Sequence, residues 1–262
     1  MPLSFYRKPA LVVYVTCGDP DLATTRAVVL AAIEAGADVI ELGVPFSDPV
    51  ADGPVIQRAS ERALKRGTCL AQVLTLAAEV RQHAQSTGLV VFSYLNPILR
   101  MGVEKFCMVA RHAGVDGVLV TDLPVEESGE YLSAMRAHDL APVFLAAPTS
   151  PDARLKRIAE ASRGFVYAVS RTGVTGARQK LADDARKLVW RLRRVTKLPI
   201  AVGFGISNAE QFAEVGKFAD AVVVGSAIVE TIEQNRGREA VAVGEFVGQL
   251  LAISSQPPTQ RS

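Results

Sequence analysis

The sequence has little of what most metal-, disulfide- or nucleic-acid-dependent proteins rely on. Its three cysteines, Cys17, Cys69 and Cys107, are an odd number with no C-x-x-C spacing, which argues against a disulfide framework or a zinc site. Its three histidines, His83, His112 and His138, stand apart from one another in helical-looking stretches and read as ordinary helix residues. Neither sign of charge dominates, with 29 Lys and Arg against 27 Asp and Glu. That balance argues against a polybasic nucleic-acid binder, which needs many clustered phosphate contacts. No apolar run approaches the 18 or so residues of a membrane span. The opening MPLSFYRKPALVVYVTCGDP lacks the longer apolar core and cleavage site of a signal peptide, so a cytoplasmic location is expected. What remains for chemistry is carboxylate, tyrosine and backbone, without a metal.

What is present is a repeated unit. Short apolar, β-branched runs begin at Leu11, Asp38, Leu89, Gly117, Pro142, Gly164, Leu198 and Asp220, each followed by a polar or Gly-rich turn and a helical pattern. Near-continuous apolar strands alternating with amphipathic helices predict a parallel sheet covered on its outside. Asp21 reads as a helix cap and Gly36 as that helix's stop, Ser150-Pro151 as a helix start, and Ser207 with Glu210 as a capping box. Eight strand-helix units in 262 residues fit a (β/α)8 TIM barrel of a single domain, expected over residues 1–253. A doubly wound open sheet uses the same local pattern, but eight units without a domain break favour closure. The polar, Pro-rich end at 254–262 is expected to be disordered. Only a short segment precedes the first strand, too short for a full helix, so the barrel floor is expected to be less covered.

The two longest intervals between strand starts run from Asp38 to Leu89 and from Gly164 to Leu198. Extra residues after a barrel strand lie on the face where active sites form. Glu41 is the last polar residue of the second strand and looks into the barrel mouth, where desolvation raises a carboxylate toward the range an acid/base catalyst needs. The alternative is a Glu paired with a cation, yet none lies near it in sequence, so catalysis is favoured. Asp48 reads as a turn former. Asp52 precedes Gly53, a common turn pair, and the residues alone leave its role open. Gly-rich patches end strands six, seven and eight at Ser170–Gly176, Gly203–Ser207 and Gly225–Ala227. Glycine admits an anion close to backbone N–H groups, and the last two patches sit where this fold commonly binds a phosphate monoester. Tyr94, Asn96 and Tyr167 are each commonest as packing residues, but together can line an aromatic pocket beside that phosphate. Trp190 is expected to pack its helix on the barrel.

The ordered set of motifs resembles one family. T-C-G-D-P at Thr16, E-L-G-V-P-F-S-D-P-V-A-D-G-P at Glu41, S-Y-L-N-P-I at Ser93 and V-T-D-L-P-V-E-E at Val120 carry the likeness. S-R-T-G-V-T-G at Ser170, G-F-G-I-S at Gly203 and V-G-S-A-I-V at Val224 extend it, so that it runs from about Val13 to Glu230. Together they resemble the tryptophan synthase alpha subunit, a (β/α)8 barrel. The resemblance implies cleavage of indole-3-glycerol phosphate to indole and glyceraldehyde 3-phosphate, with no cofactor or metal in this chain. It implies Glu41 and Asp52 as the catalytic acids, and phosphate contacts at Gly176, Gly205, Gly225 and Ser226. It places Tyr94, Tyr167, Phe204 and Thr175 around the substrate, with Thr175 hydrogen-bonding Asp52 when the strand 6 loop closes. It implies a beta subunit as partner in an alpha2beta2 heterotetramer, with PLP only in that partner. A free-standing indole-3-glycerol phosphate lyase is the alternative. A catalytically weak regulatory barrel subunit is a further one, against which the retained Glu41 and Asp52 count.

Overall fold

A computed structural model describes residues 3, 5–169, 178–203 and 205–252. Nine strand segments run parallel: β1 (Ala10–Thr16), β2 (Val39–Gly43), β3 (Gly88–Ser93), β4 (Gly117–Val120), β5 (Ala141–Val143), β6 (Leu145–Ala146), β7 (Val166–Val169), β8 (Ile200–Gly203) and β9 (Ala221–Val224). In space they follow the order β5-β4-β3-β2-β1-β9-β8-β7-β6. The ends of that order are two halves of one strand, because β5 and β6 are separated only by Phe144. β5 pairs with β4 and β6 with β7. Between them the Phe144 carbonyl accepts from the Tyr167 N–H at 3.1 Å, which closes the ring. The eight expected strands are therefore present as a (β/α)8 barrel, with the fifth interrupted. Pro142, which has no N–H to give the ladder, shortens the pairing there.

Strand parity sorts every side chain. Ala10, Val12, Val39, Val90, Leu119, Val143, Phe165, Tyr167, Ala201 and Val223 form one buried cluster inside the barrel. Their neighbours Leu11, Val13, Ile40, Val91, Val118, Val166, Val202 and Val222 belong to the larger cluster between barrel and helices. Two buried faces per strand explain why the strands read as continuous apolar runs rather than alternating ones.

The floor of the barrel is closed, contrary to expectation. Leu3 is 6% exposed and joins the inner cluster, with Phe5 packed against that cluster. Phe5 also meets Phe165 at 5.5 Å between ring centroids. A Cβ at Gly88, Gly117 or Gly164 would come within 2.9, 2.6 and 2.8 Å of Leu3, so these three strand-start glycines leave the space that Leu3 fills. Leu3 and Phe5 together cover the floor beneath the barrel.

The helix boundaries refine the sequence reading. The Asp21 carboxylate accepts from the Thr24 N–H at 2.7 Å and caps the helix Leu22–Glu34, with Gly36 in the left-handed region just beyond its end. The Ser150 hydroxyl instead accepts from the Ala147 N–H in the preceding turn, so the helix Asp152–Ala161 starts one residue later than expected, after Pro151. The expected Ser207–Glu210 box also shifts by one. Asn208 caps the helix Ala209–Gly216 by accepting from the Gln211 N–H, while the Gln211 side chain accepts from the Ser207 N–H.

Trp190 does not pack on the barrel. It is 63% exposed beneath the Arg194 guanidinium, 5.1 Å from its ring, while Ala185, Leu188, Val189 and Leu192 form the buried face of the helix Arg178–Arg193. Each histidine lies at a helix C-terminal end: His83 and His112 as last residues, His138 as a C-cap. No helix among the described residues is long and apolar enough to cross a membrane.

The closed floor makes a direct prediction. Leu3→Ala should lower the unfolding free energy by about 2–4 kcal/mol, the range for truncating a buried leucine. Urea unfolding measures it, and a change under about 0.5 kcal/mol would mean that Leu3 does not seal the barrel.

Candidate functional site at the barrel mouth

The site begins with the parity of β2. Val39, Glu41 and Gly43 share the inward face, and Glu41 is aligned in register with Tyr14 of β1 and Val90 of β3. Its side chain is fully buried, and neither carboxylate oxygen has a hydrogen-bond partner among the described residues. Burial alone pushes its pKa up to about 8. Removing a carboxylate from water penalises the charged form, and no cation among the described residues is among the causes that set its pKa. Glu41 is therefore a neutral acid at pH 7.

Asp52 reaches the same mouth from the loop after β2. The loop turns through Asp52 N–H to the Pro49 carbonyl at 3.0 Å, and Gln57 donates to the Asp52 carbonyl at 2.9 Å. The carboxylate is half-buried and accepts from the Tyr94 hydroxyl at 3.1 Å. Burial raises its pKa to about 6, against the lowering effect of that hydrogen bond. The Tyr94 oxygen in turn accepts from the Ala51 N–H at 2.9 Å, and its ring stacks on Phe46 at 4.9 Å. Tyr94 thus grips the loop by both backbone and side chain. Asp48, by contrast, is exposed and accepts from Ser47 at 2.7 Å, a turn residue as expected.

Tyr167 closes the opposite wall. It is buried, and its hydroxyl is held well above its ordinary pKa by burial first, then by the charges of Glu41, Tyr14 and Asp52. Tyr14 feels burial first and then Asp52, with Glu41 also among its perturbers. Both carboxylates therefore act electrostatically on both tyrosine hydroxyls. Glycines make the room: a Cβ on Gly43 would sit 2.4 Å from the Tyr14 hydroxyl, and one on Gly203 2.5 Å from that of Tyr167.

Tyr14 was not singled out in the sequence, where it lies inside an apolar strand. Its parity with Ala10 and Val12 was the available signal. Asn96 is not brought to the site. It is exposed on the helix Leu95–Met101 and lines a groove of about 440 Å³ with Phe46 and Arg100, which neither Glu41 nor Asp52 lines.

Two backbone features stand at the ends of the following strands. Gly205 adopts a positive φ of 43° just after β8. Gly225 precedes the helix Ser226–Gln234, whose first intrahelical bond runs from the Val229 N–H to the Gly225 carbonyl. The N–H groups of Ser226, Ala227 and Ile228 consequently have no helical acceptor, and together with the helix dipole they favour an anion. Phe204, Thr175 and Gly176 lie outside the described residues. Among the described residues no group of three or more His, Cys, Asp and Glu could hold a metal ion.

Residues 3–252 match the sequence pattern of the family described as tryptophan synthase alpha chain. The chain is 52% identical over 236 residues to a tryptophan synthase alpha chain of Solibacter usitatus, covering 90% of this chain and 88% of the relative. It is 50% identical over 246 residues to that of Methylococcus capsulatus, covering 94% and 92%. Among solved structures, a tryptophan synthase complex from Pyrococcus furiosus superposes with a TM-score of 0.87 at 40% identity, covering 94% of this chain and 99% of that one. Tryptophan synthase subunit alpha from Legionella pneumophila superposes at 0.86 with 34% identity, covering 93% and 92%.

The buried acid has a thermodynamic signature. The folded pKa of Glu41 lies above the ordinary 4.5, so the bound proton stabilises the folded state fully below that value. This contribution is lost as pH rises from about 4.5 to about 8, above which both states are ionised and the loss stops growing. At about 1.4 kcal/mol per pH unit the loss amounts to roughly 5 kcal/mol. Urea midpoints for Glu41→Gln should show this fall removed between pH 5 and 8, and an identical slope in both proteins would contradict the neutral buried acid.

Proposed function

The chain belongs to the tryptophan synthase alpha chain family, and we propose from that premise that it cleaves indole-3-glycerol phosphate to indole and glyceraldehyde 3-phosphate. The observation that carries the proposal is a pair of carboxylates in one barrel mouth whose environments set them on opposite sides of neutrality. Breaking the bond between indole C3 and the glycerol side chain requires a proton on C3, which interrupts the aromaticity of the pyrrole ring. Glu41, neutral and without a hydrogen-bond partner among the described residues, is the proton donor. Asp52, ionised above about pH 6 and oriented by Tyr94, accepts a hydrogen bond from the indole N–H and stabilises the positive charge that develops on the ring. The Glu41 carboxylate left behind then takes the proton of the side-chain hydroxyl as the aldehyde forms. One residue thereby acts as acid and then base, and proton count is restored at the end of the turnover.

The substrate's phosphate is assigned to Gly205, Gly225 and Ser226, with Gly176 joining them, at the free N–H groups of the helix Ser226–Gln234. Tyr94, Tyr167, Phe204 and Thr175 are assigned to the surrounding pocket. No cofactor is assigned to this chain, since proton transfer and fixed charge suffice for the cleavage. The partner is a beta subunit that holds PLP and consumes the indole.

The acid and base assignments fix a pH profile. Turnover should be bell-shaped, falling below about pH 6 as Asp52 protonates and above about pH 8 as Glu41 ionises. Glu41→Gln should lower kcat by about a hundredfold or more with the fold retained. Retention of more than roughly a tenth of the turnover would sink the role of Glu41.

The beta subunit should accelerate indole release at least roughly tenfold, which needs about 1.4 kcal/mol of preferential binding to the competent conformation. Assays with and without the partner measure it. Equal rates would move the reading to a free-standing lyase.

A further inference from the structure

The aspartate of T-C-G-D-P has no part in the chemistry above, yet its side chain is 1% exposed. Asp19 follows β1 and is engaged by Arg62 through two parallel bonds, from Nε to Oδ1 and from Nη2 to Oδ2, both at 2.8 Å. The same guanidinium donates its remaining nitrogen, Nη1, to Oε1 of Glu233 at 2.7 Å. Arg58, one turn before Arg62, donates to the other Glu233 oxygen at 3.0 Å. Arg62 lies in the helix Pro54–Lys65, which begins two residues after Asp52. Glu233 lies at the far end of the helix Ser226–Gln234, which begins at the assigned phosphate site. Between these ties the two helices pack through Ala59 and Val229 onto Tyr14, directly over the barrel mouth.

We infer that Arg62 is a positioning residue that joins the helix behind Asp52 to the helix that binds the substrate's phosphate, so that carboxylate and phosphate are held in one rigid frame. The inference rests on the lyase reading above and adds a residue to it. A planar guanidinium is suited to this task, because its fork fixes direction as well as distance, and a buried partner removes competing water. Both helices are rigid struts tied at their far ends by Arg62 and Glu233 and packed together near their starts. Their splay therefore sets the separation between Asp52 and Ser226. Misplacement of about 1 Å at such a distance can cost on the order of a hundredfold in rate.

The test compares Arg62→Met, Arg62→Lys and Glu233→Gln in the full chain. Arg62→Met should weaken inorganic phosphate binding by at least about fivefold and lower kcat for indole-3-glycerol phosphate by at least about tenfold. Arg62→Lys should recover part of the phosphate affinity but little of kcat, since a lysine offers one point charge where the fork offers direction. Glu233→Gln keeps the Asp19 clamp but weakens the tie between the two helices, so it should raise KM and the phosphate Kd and also lower kcat, by less than Arg62→Met does. Amide exchange reads the frame without substrate. Arg62→Met should speed exchange at both Gln57 and Val229, whose N–H groups make the first helical bonds to Gly53 and Gly225. Unchanged exchange at either amide overturns the inference, whatever the activity. So does Arg62→Met with unaltered phosphate Kd, KM and kcat. An unmodified chain that fails to cleave the substrate instead overturns the lyase reading, and the exchange result still decides the frame. If Arg62→Met does not fold, Glu233→Gln decides it: a raised phosphate Kd and KM with a lowered kcat supports the frame, and unaltered kcat overturns it.

Discussion

The carboxylate of Glu41 sits inside the barrel with no hydrogen-bond partner among the described residues, and most of the site follows from that one position. An ionised carboxylate there is costly, because burial penalises the charged form and no described residue hydrogen-bonds it. The side chain responds by keeping its proton near neutral pH. Neutrality makes it compatible with the apolar layer beneath, formed by residues such as Val12, Val39 and Val90. The same burial that makes Glu41 costly to ionise equips it to donate a proton in the proposed reaction. Asp52 differs because the loop gives it partial access to water and the Tyr94 hydroxyl, so its carboxylate form is supported.

The scaffold keeps these two environments distinct. Inward residues at the lower end of the strands are small or branched and are sealed from below by Leu3 and Phe5. Among the described residues, polar inward side chains occur toward the C-terminal ends, at Tyr14, Thr16, Glu41 and Tyr167. Gly43 and Gly203 keep that level open by leaving space beside the tyrosine hydroxyls. Above it, the helices Pro54–Lys65 and Ser226–Gln234 lie on Tyr14 and bring the loop of Asp52 and the free N–H groups at Ser226 to the same rim. The floor serves stability and the rim serves chemistry, with the strands as the fixed distance between them.

Much of this was legible in the sequence, because the signals were local. Strand-helix alternation specifies the barrel, the Asp21 cap and Gly36 stop delimit the first helix, and a lone Glu in an apolar strand marks Glu41. Other features depend on what lies across space. Tyr14 reads as one more residue of an apolar strand until register aligns it with Glu41. Leu3 gains its role only where Gly88, Gly117 and Gly164 converge beneath it. The interruption at Phe144 arises from pairing with different neighbours on either side, which no single segment encodes. Trp190 faces outward because Ala185, Leu188, Val189 and Leu192, at helical spacing, form the buried face of its helix. Asn96 shares a short segment with Tyr94, but the chain enters a helix between them and turns it outward. The helices after Ser150 and Ser207 start one residue later because the Ser150 hydroxyl bonds back to the Ala147 N–H, and Asn208 rather than Ser207 accepts from the helix, at the Gln211 N–H.

The account turns on the protonation state of Glu41, and the most direct measurement is a carboxyl titration by 13C NMR in the full-length chain, assigned with Glu41→Gln. Glu41 should titrate near pH 8 and remain protonated at pH 7, with Asp52 titrating near pH 6. A Glu41 resonance that titrates near the ordinary value of 4.5, and is already ionised at pH 7, would contradict the account.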